Sequence, residues 1–233
     1  MAKIFMHEGH GGSDSGAIGP TGLKEKDVTL KVAKKVELIL KRHNQEVVLA
    51  RGKDISFKSY NAANVANRLK VDYVVSIHCN SAGNINATGT ETYAYSITSE
   101  GSKLADKVQR NLVNQIKLPN RGVKYNNKFA IIRKPYAPAI LVEIAFINNP
   151  KEEVLLKDDK FLDKVAAGIS KGILEHIGLE YIDNAVKVDF RGRKFKVEGI
   201  MQDNKNYVSI RDLLEKMGHK VGWEQSSETV VIK

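Results

Sequence analysis

The chain has 233 residues, 42% of them hydrophobic and 27% charged, with a net charge of +10 and a single cysteine. That length suits one sizeable core with a small second unit. The lone Cys79 excludes an intramolecular disulfide framework and a cysteine-rich metal site, and it points to synthesis in a reducing compartment. No apolar run is long enough to span a bilayer. The opening MAKIFMHEGHGG has no long apolar stretch of the kind a secretory signal needs, so no signal peptide and no membrane insertion are expected.

The basic surplus is uneven. From Asp183 onward there are 10 Lys and Arg against 8 Asp and Glu, leaving 27 against 19 for the first 182 residues. The larger unit therefore carries +8 and the tail +2. Such a surface favours polyanions, among them nucleic acid, anionic lipid and acidic wall polymers. Aromatic residues interleaved with basic ones, as a nucleic-acid groove needs, are not evident, and no specific nucleic-acid partner is expected.

Residues 3–6 (KIFM) read as a short buried strand entering the glycine-rich stretch Gly9–Gly12. Val28, Val32, Val36, Ile39 and Leu40 recur at helical spacing. Strand-like Glu46–Ala50 follows, then a helix marked by Ala62, Ala63, Ala66 and Leu69. Asp72–His78 is apolar and β-branched, so a buried strand is expected, followed by a loop over Asn80–Gly89. Thr90–Tyr95 alternates as a strand does. Leu104, Val108, Leu112 and Ile116 mark a helix. Phe129–Arg133 and Ala139–Phe146 read as two strands, and Val165, Ile169, Ile173 and Ile177 mark a last long helix closed by Gly178. Alternating strands and helices predict an α/β domain, with a mostly parallel twisted sheet flanked by helices on both faces.

After Gly178 the pattern changes. Val186–Phe190 and Lys194–Val197 form a hairpin signal around Arg191-Gly192-Arg193. Tyr207–Ile210 reads as a strand, Leu213, Leu214 and Met217 as a short helix ended by Gly218, and Val221–Trp223 with Thr229–Ile232 as a final hairpin. A small α+β domain over 184–233 is expected, separate from a domain over 1–180, with the boundary near Tyr181–Asn184.

Six histidines are candidates for metal chemistry. His43 and His176 lie near helix ends among charges and read as solvated helix-face residues; His219 follows a helix-ending glycine and reads as a turn residue. His10, in Gly9-His10-Gly11-Gly12, and His78 both fall at carboxyl ends of strands. That is the edge at which open α/β sheets bind ligands. With no cysteine cluster, two imidazoles and a carboxylate would suit zinc, leaving a fourth position for water. Glu25 begins the first helix. A lone glutamate there is usually compensation for the helix dipole, but its closeness in sequence to the His10 loop also suits an acidic ligand, and spacing leaves both readings open. Glu143 is the lone carboxylate in the apolar run Ala139–Phe146. Burying an unpaired charge is costly, so Glu143 either pairs with a cation or faces a site where desolvation raises its pKa for acid–base work.

Several segments, in order, carry a family resemblance over roughly residues 2–178. They are His10-Gly11-Gly12-Ser13-Asp14-Ser15-Gly16-Ala17, Gly22 with Glu25-Lys26-Asp27-Val28, and Ser76-Ile77-His78-Cys79-Asn80-Ser81. Gly89-Thr90-Glu91-Thr92-Tyr93, Asn120-Arg121-Gly122-Val123-Lys124, and Leu141-Val142-Glu143 with Asn148-Asn149-Pro150 complete the set. Together they resemble the zinc-dependent N-acetylmuramoyl-L-alanine amidases of phage endolysins and bacterial autolysins. The resemblance implies His10, Glu25 and His78 as zinc ligands, Glu143 as the catalytic carboxylate, and peptidoglycan as the substrate.

One departure is His7-Glu8, where the family usually has Asp followed by Pro or Ala. His7 and His10 are three apart, whereas the zincin helix motif needs four, so His7 is read as structural or supporting. Cys79, one residue after His78, should point to the opposite face and pack there. Asn80, beside His78, and Arg133, closing a strand taken to face Glu143, are the candidates for substrate contact.

The tail, Asp183–Lys233, resembles the small domain related to the N-terminal region of copper amine oxidases through Tyr207-Val208-Ser209-Ile210-Arg211, Leu213-Leu214-Glu215 and Gly218 with Val221-Gly222-Trp223. It carries no copper-site residues. Wall attachment, or self-association into a homodimer, is its expected role. With no signal peptide expected, the amidase resemblance of the larger domain implies an endolysin made in the cytoplasm and acting on the wall after release. A zinc peptidase cutting within the stem peptide and a non-catalytic wall-binding protein are the alternatives.

Overall fold

The computed structural model describes residues 1–182, 185–202, 205–224 and 229–232. They form two compact units, Met1–Tyr181 and Ile182–Lys233. The expected boundary near Tyr181–Asn184 reaches onto Asp183 and Asn184, which lie outside the described residues, as does Lys233 at the end of the expected tail domain.

The first unit follows the chain as β1 (Lys3–Glu8), α1 (Glu25–Arg42), β2 (Glu46–Leu49), α2 (Ser59–Leu69), β3 (Tyr73–Asn80), β4 (Thr90–Ala94), α3 (Glu100–Ile116), β5 (Asn120–Tyr125), α4 (Ala130–Arg133), β6 (Ala139–Phe146), α5 (Pro150–Lys157) and α6 (Asp159–His176). Its six-stranded sheet has the order β2-β1-β3-β6-β4-β5. Every pairing is parallel except β4 with β6. The start of β4 therefore lies beside the carboxyl end of β6, and β5 runs with β4.

Side chains alternate across the strands and sort the sheet into two unequal faces. Ile4, Met6, Val75, Ile77, Ile140, Val142 and Ile144 point to one side, where they pack with Val32 and Val36 of α1, Leu104 and Val108 of α3, and Val165 and Ile169 of α6. Three long helices close that face completely. Phe5, Val74, Ala139 and Leu141 point to the other, where Ala62, Ala63 and Ala66 of α2 and Ile131 and Ile132 of α4 cover them. These covering helices are only 11 and 4 residues long. They pack over the strand beginnings, so the carboxyl ends of the second face are left for polar side chains.

One reading of this unit is corrected, and one segment without an expected element is placed. Phe129–Arg133 is not a strand; Ala130–Arg133 forms the single turn α4, started at Phe129. β6 already has β3 and β4 on its two sides, so no adjoining edge is open to this run, and Ile131 and Ile132 bury themselves by capping the second face instead. A short apolar run carries no periodicity that separates the two states. Conversely, polar Asn120–Tyr125 is the edge strand β5. α5 also adds to the expected elements. Asn149 caps it by accepting from the backbone of Lys151 and Glu152, with Pro150 at its first position.

The second unit contains β7 (Ala185–Phe190), β8 (Arg193–Gln202) and β9 (Lys205–Val208) in an antiparallel sheet, then α7 (Ile210–Lys216), then β10 (Val221–Glu224) paired antiparallel with β11 (Thr229–Ile232). Arg191 and Gly192 both have positive φ, 51° and 80°, as a two-residue hairpin turn requires. Ile210 opens α7 rather than closing β9, because the Ser209 side chain accepts from Asp212 N and caps the helix.

Candidate metal centre

The carboxyl end of β1 runs into a turn in which His10 itself has a positive φ of 64°. Its Nδ1 donates to Asp14 Oδ2 at 2.9 Å, which fixes the ring with Nε2 3.2 Å from Glu25 Oε2. Glu25 is the first residue of α1 and only 3% exposed. Both its oxygens are committed. Oε1 accepts from His78 Nδ1 and from Cys79 N, each at 2.9 Å, while Oε2 accepts from Ala17 N at 2.9 Å. Burial opposes ionisation of Glu25, but the hydrogen bonds from His10 and His78 outweigh it and hold the carboxyl well below its ordinary range. The same contact with Glu25 holds His10 above the ordinary histidine value.

One donor atom from each of His10, Glu25 and His78 lies within 4.8 Å of the others. Two imidazoles turned on a shared carboxylate, with Asp14 orienting one ring from behind, make a donor set that fits a zinc ion. Two glycines keep the space clear. A Cβ on Gly9 would stand 2.4 Å from the His78 ring, and one on Gly16 would stand 2.6 Å from both Glu25 Oε2 and His10 Cδ2.

Glu143 stands on β6 directly in register with His78 on β3. Its Oε2 is shielded from solvent and has no hydrogen-bond partner among the described residues. Burial first, then the charges of Glu25 and Glu91, push its pKa up to about 8. Glu91, opposite it on β4, is by contrast fully hydrogen-bonded. Asn80 Nδ2, Tyr93 OH and Arg121 Nε donate to its carboxylate at 2.7, 2.9 and 2.8 Å.

Family models match at this point. Residues 4–175 match the family described as N-acetylmuramoyl-L-alanine amidase, and 187–233 match the copper amine oxidase N-terminal domain. The chain belongs to the N-acetylmuramoyl-L-alanine amidase family.

Among its relatives, the endolysin of Bacillus phage SPP1 is 38% identical over 189 residues, covering 77% of this chain and 68% of the phage protein. The amidase LytC of Bacillus subtilis (strain 168) is 36% identical, over 74% of this chain and 35% of LytC. The catalytic domain of the amidase CwlV from Bacillus (Paenibacillus) polymyxa var. colistinus superposes with a TM-score of 0.74 at 37% identity, over 77% of this chain and all of that domain. An amidase from Clostridium difficile 630 gives 0.73 at 36% identity, over 76% of this chain and 97% of that one.

In this amidase the remaining histidines lie outside the three-donor cluster. His7 is 1% exposed and hydrogen-bonded through Nδ1 to Ser76 Oγ at 2.8 Å. Burial, then the nearby His78, His10 and Arg51, lowers its pKa to about 3, so it is a neutral buttress. His43 and His176 are not solvated helix-face residues. His43 donates to Ile39 O at 2.8 Å and stacks on Tyr181, and His176 sets its ring against the edge of Tyr73. Each is half-buried because α1 and α6 end over side chains that the local sequence does not reveal. His219 is exposed after α7. Cys79 is 4% exposed and packs in the larger core.

Asn80 sits at the end of β3 and donates to Glu91. Arg133 does not close a strand facing Glu143. It lies on α4 and lines a cleft with Tyr95, Tyr136 and Ala139, at the start of β6. Glu143 is four residues further on, roughly 13 Å along an extended strand. Glu91 and Arg121 are not among the residues that the sequence marks for this edge. Both lie in the family-like segments around residues 89–93 and 120–124, but only the β6–β4–β5 pairing gives them a place beside Glu143.

Proposed function

We propose that His10, Glu25 and His78 hold a zinc ion and that Glu143 is the acid–base group of the peptidoglycan amidase reaction. The observation that carries this is the juxtaposition of a carboxylate shared by two imidazoles with an unpaired, shielded carboxyl one strand away. Membership of the family makes the chain an N-acetylmuramoyl-L-alanine amidase, a hydrolase of peptidoglycan. The bond cut joins the lactyl group of N-acetylmuramic acid to the L-alanine of the stem peptide.

Zinc, when bound, supplies Lewis acidity, making water acidic enough to act as a nucleophile near neutral pH and drawing charge from the scissile carbonyl. Glu143 takes the proton from the attacking water. The carboxyl then delivers that proton to the leaving amine of L-alanine. A proton affinity near neutrality suits both transfers. His7, neutral and bonded to Ser76, backs the β1–β3 junction from which His10 and His78 project. Asn80 contacts substrate beside His78 while it fixes Glu91.

The second unit, over 184–233, serves wall attachment or self-association in this reading, and the basic surface of 1–180 holds anionic wall polymers. The similarity to a phage endolysin supports an enzyme made in the cytoplasm and released to the wall. No helix among the described residues is long and apolar enough to cross a membrane.

Purified walls, metal analysis and end-group analysis test the assignment. Walls should lose turbidity with release of L-alanine amino ends and no new reducing sugar ends. A chelator should stop this, and zinc should restore it. Zinc retained in full after His10→Ala, or amino ends from an inner stem residue, would overturn the ligand set or the bond assignment respectively. Sedimentation of the full chain and of a chain ending at Tyr181, with and without walls, separates attachment from self-association. Detection of the enzyme outside intact cells before lysis would contradict release as an endolysin.

A further inference from the structure

One row of side chains crosses four neighbouring strands, at the carboxyl ends of β3 and β6 and the amino ends of β4 and β5. His78 on β3 is in register with Glu143 on β6, and Glu143 with Glu91 on β4. Arg121 on β5 then donates from Nε to Glu91 Oε2 at 2.8 Å. Glu91 is buried and fully engaged, its Oε1 taken by Asn80 and Tyr93. Arg121 is not fully engaged. Its side chain is 40% exposed, its guanidinium carbon lies 4.9 Å from the centre of the Phe146 ring, and Nη1 reaches Thr88 O only at 3.5 Å. The inner edge of the fork is pinned by a carboxylate and an aromatic face, while the outer part stays open to solvent. A planar fork held in this way is pre-organised to receive a second carboxylate.

The spacing selects which carboxylate. Two strand separations of about 4.8 Å place the Arg121 backbone roughly 10 Å from that of Glu143. A peptide leaving the scissile amide advances about 3.5 Å per residue. The second residue of the stem, a glutamate joined through its side-chain carboxyl, thus falls between the two. Its α-carboxyl is free in some walls and amidated in others.

We propose that Arg121, anchored by Glu91, binds the free α-carboxylate of the second stem residue and sets a preference for the acid over the amide at that position. This rests on the reading of the His78–Glu143 edge as the active site. A carboxylate completes the fork with two parallel charged hydrogen bonds. A carboxamide offers one acceptor and turns a donor against the guanidinium.

The test compares two soluble disaccharide-tetrapeptides, identical except for a carboxylate or a carboxamide at the second residue, as substrates of the full zinc-loaded chain. The wild type should favour the acid by about tenfold in kcat/KM, chiefly through KM, as expected for one half-exposed charged contact. Arg121→Gln should bring the two substrates to within about threefold of each other, and Arg121→Lys should give an intermediate ratio because charge remains without the fork. A purely structural role for Arg121 lowers both rates and leaves the ratio intact, which overturns the proposal. Equal rates in the wild type overturn it too, while leaving the amidase reading in place. Cleavage of neither substrate, with walls also untouched, overturns the amidase reading itself and this proposal with it.

Discussion

Glu143 and Glu91 stand directly opposite one another on adjacent antiparallel strands and carry contrary hydrogen-bonding states. Three donors converge on Glu91, whereas Glu143 Oε2 has no partner among the described residues. Two like carboxylates this close cannot both ionise cheaply. The donors satisfy the Glu91 carboxylate, while burial raises the pKa of Glu143 to about 8, close enough to neutrality for it to take up and release a proton.

Glu143→Gln should therefore abolish the proton transfers while keeping shape and metal. Wall lysis is expected to fall by about 100-fold to 10,000-fold, with zinc content unchanged. Retained lysis at more than a tenth of the wild-type rate would remove Glu143 from the mechanism.

The same residue predicts a pH dependence of stability in the metal-free protein. The folded chain holds the Glu143 proton up to about 8, against an ordinary value of 4.5. Its contribution is thus complete below about 4.5 and is lost as pH rises through 8. Within that window the stability of the wild type should fall relative to Glu143→Gln, by at most about 1.4 kcal/mol per pH unit. Urea unfolding of both proteins in a chelator at several pH values measures the difference; a constant difference would contradict the assignment.

Removing metal should lower thermal stability as well as activity, because an ion bound only by the folded chain stabilises it by mass action. The melting temperature of the wild type should drop on chelation and recover with zinc. In Glu25→Ala, which removes the carboxylate between His10 and His78, chelation should change it little.

Gly16→Ala should damage the site without cutting any hydrogen bond. The added Cβ would meet Glu25 Oε2 and His10 Cδ2, and the backbone φ of 65° is strained for alanine. Zinc affinity should fall by at least tenfold, while Gly52→Ala, also at positive φ but with no atom nearer than 3.9 Å, should leave it unchanged. Equal effects at the two positions would show that backbone strain, not crowding of the ligands, is responsible.

Glu153 clamps the segment that leads from His10 to Glu25. Its carboxylate accepts from Thr21 N and Oγ1 at 3.0 and 2.7 Å and from Leu23 N at 3.3 Å, although it is 132 residues away from Thr21 in sequence. Glu153→Ala should cost on the order of 2 kcal/mol and loosen zinc by displacing Glu25 at the end of that segment. Unfolding midpoints and zinc titration of the variant give the two values; unchanged zinc affinity would confine Glu153 to stability.

Features that depend on local pattern are legible in the amino-acid order. Alternation and β-branching placed β1, β3 and β6. The glycines around His10 and the end of the apolar run at His78 put both rings at the ligand-binding edge, and an isolated carboxylate in Ala139–Phe146 marked Glu143. The family motifs added Glu25, whose position at a helix start is otherwise that of any dipole-compensating acid. The remainder comes from long-range packing. It paired β4 antiparallel with β6, so Glu91 came opposite Glu143 and Arg121 beside Glu91. It turned Ala130–Arg133 into a helix and carried Arg133 toward the beginning of β6. It brought Glu153 across the chain to the Thr21 segment. Strand order and register arise from burial and pairing between segments far apart in sequence, and no local periodicity encodes which strand becomes whose neighbour.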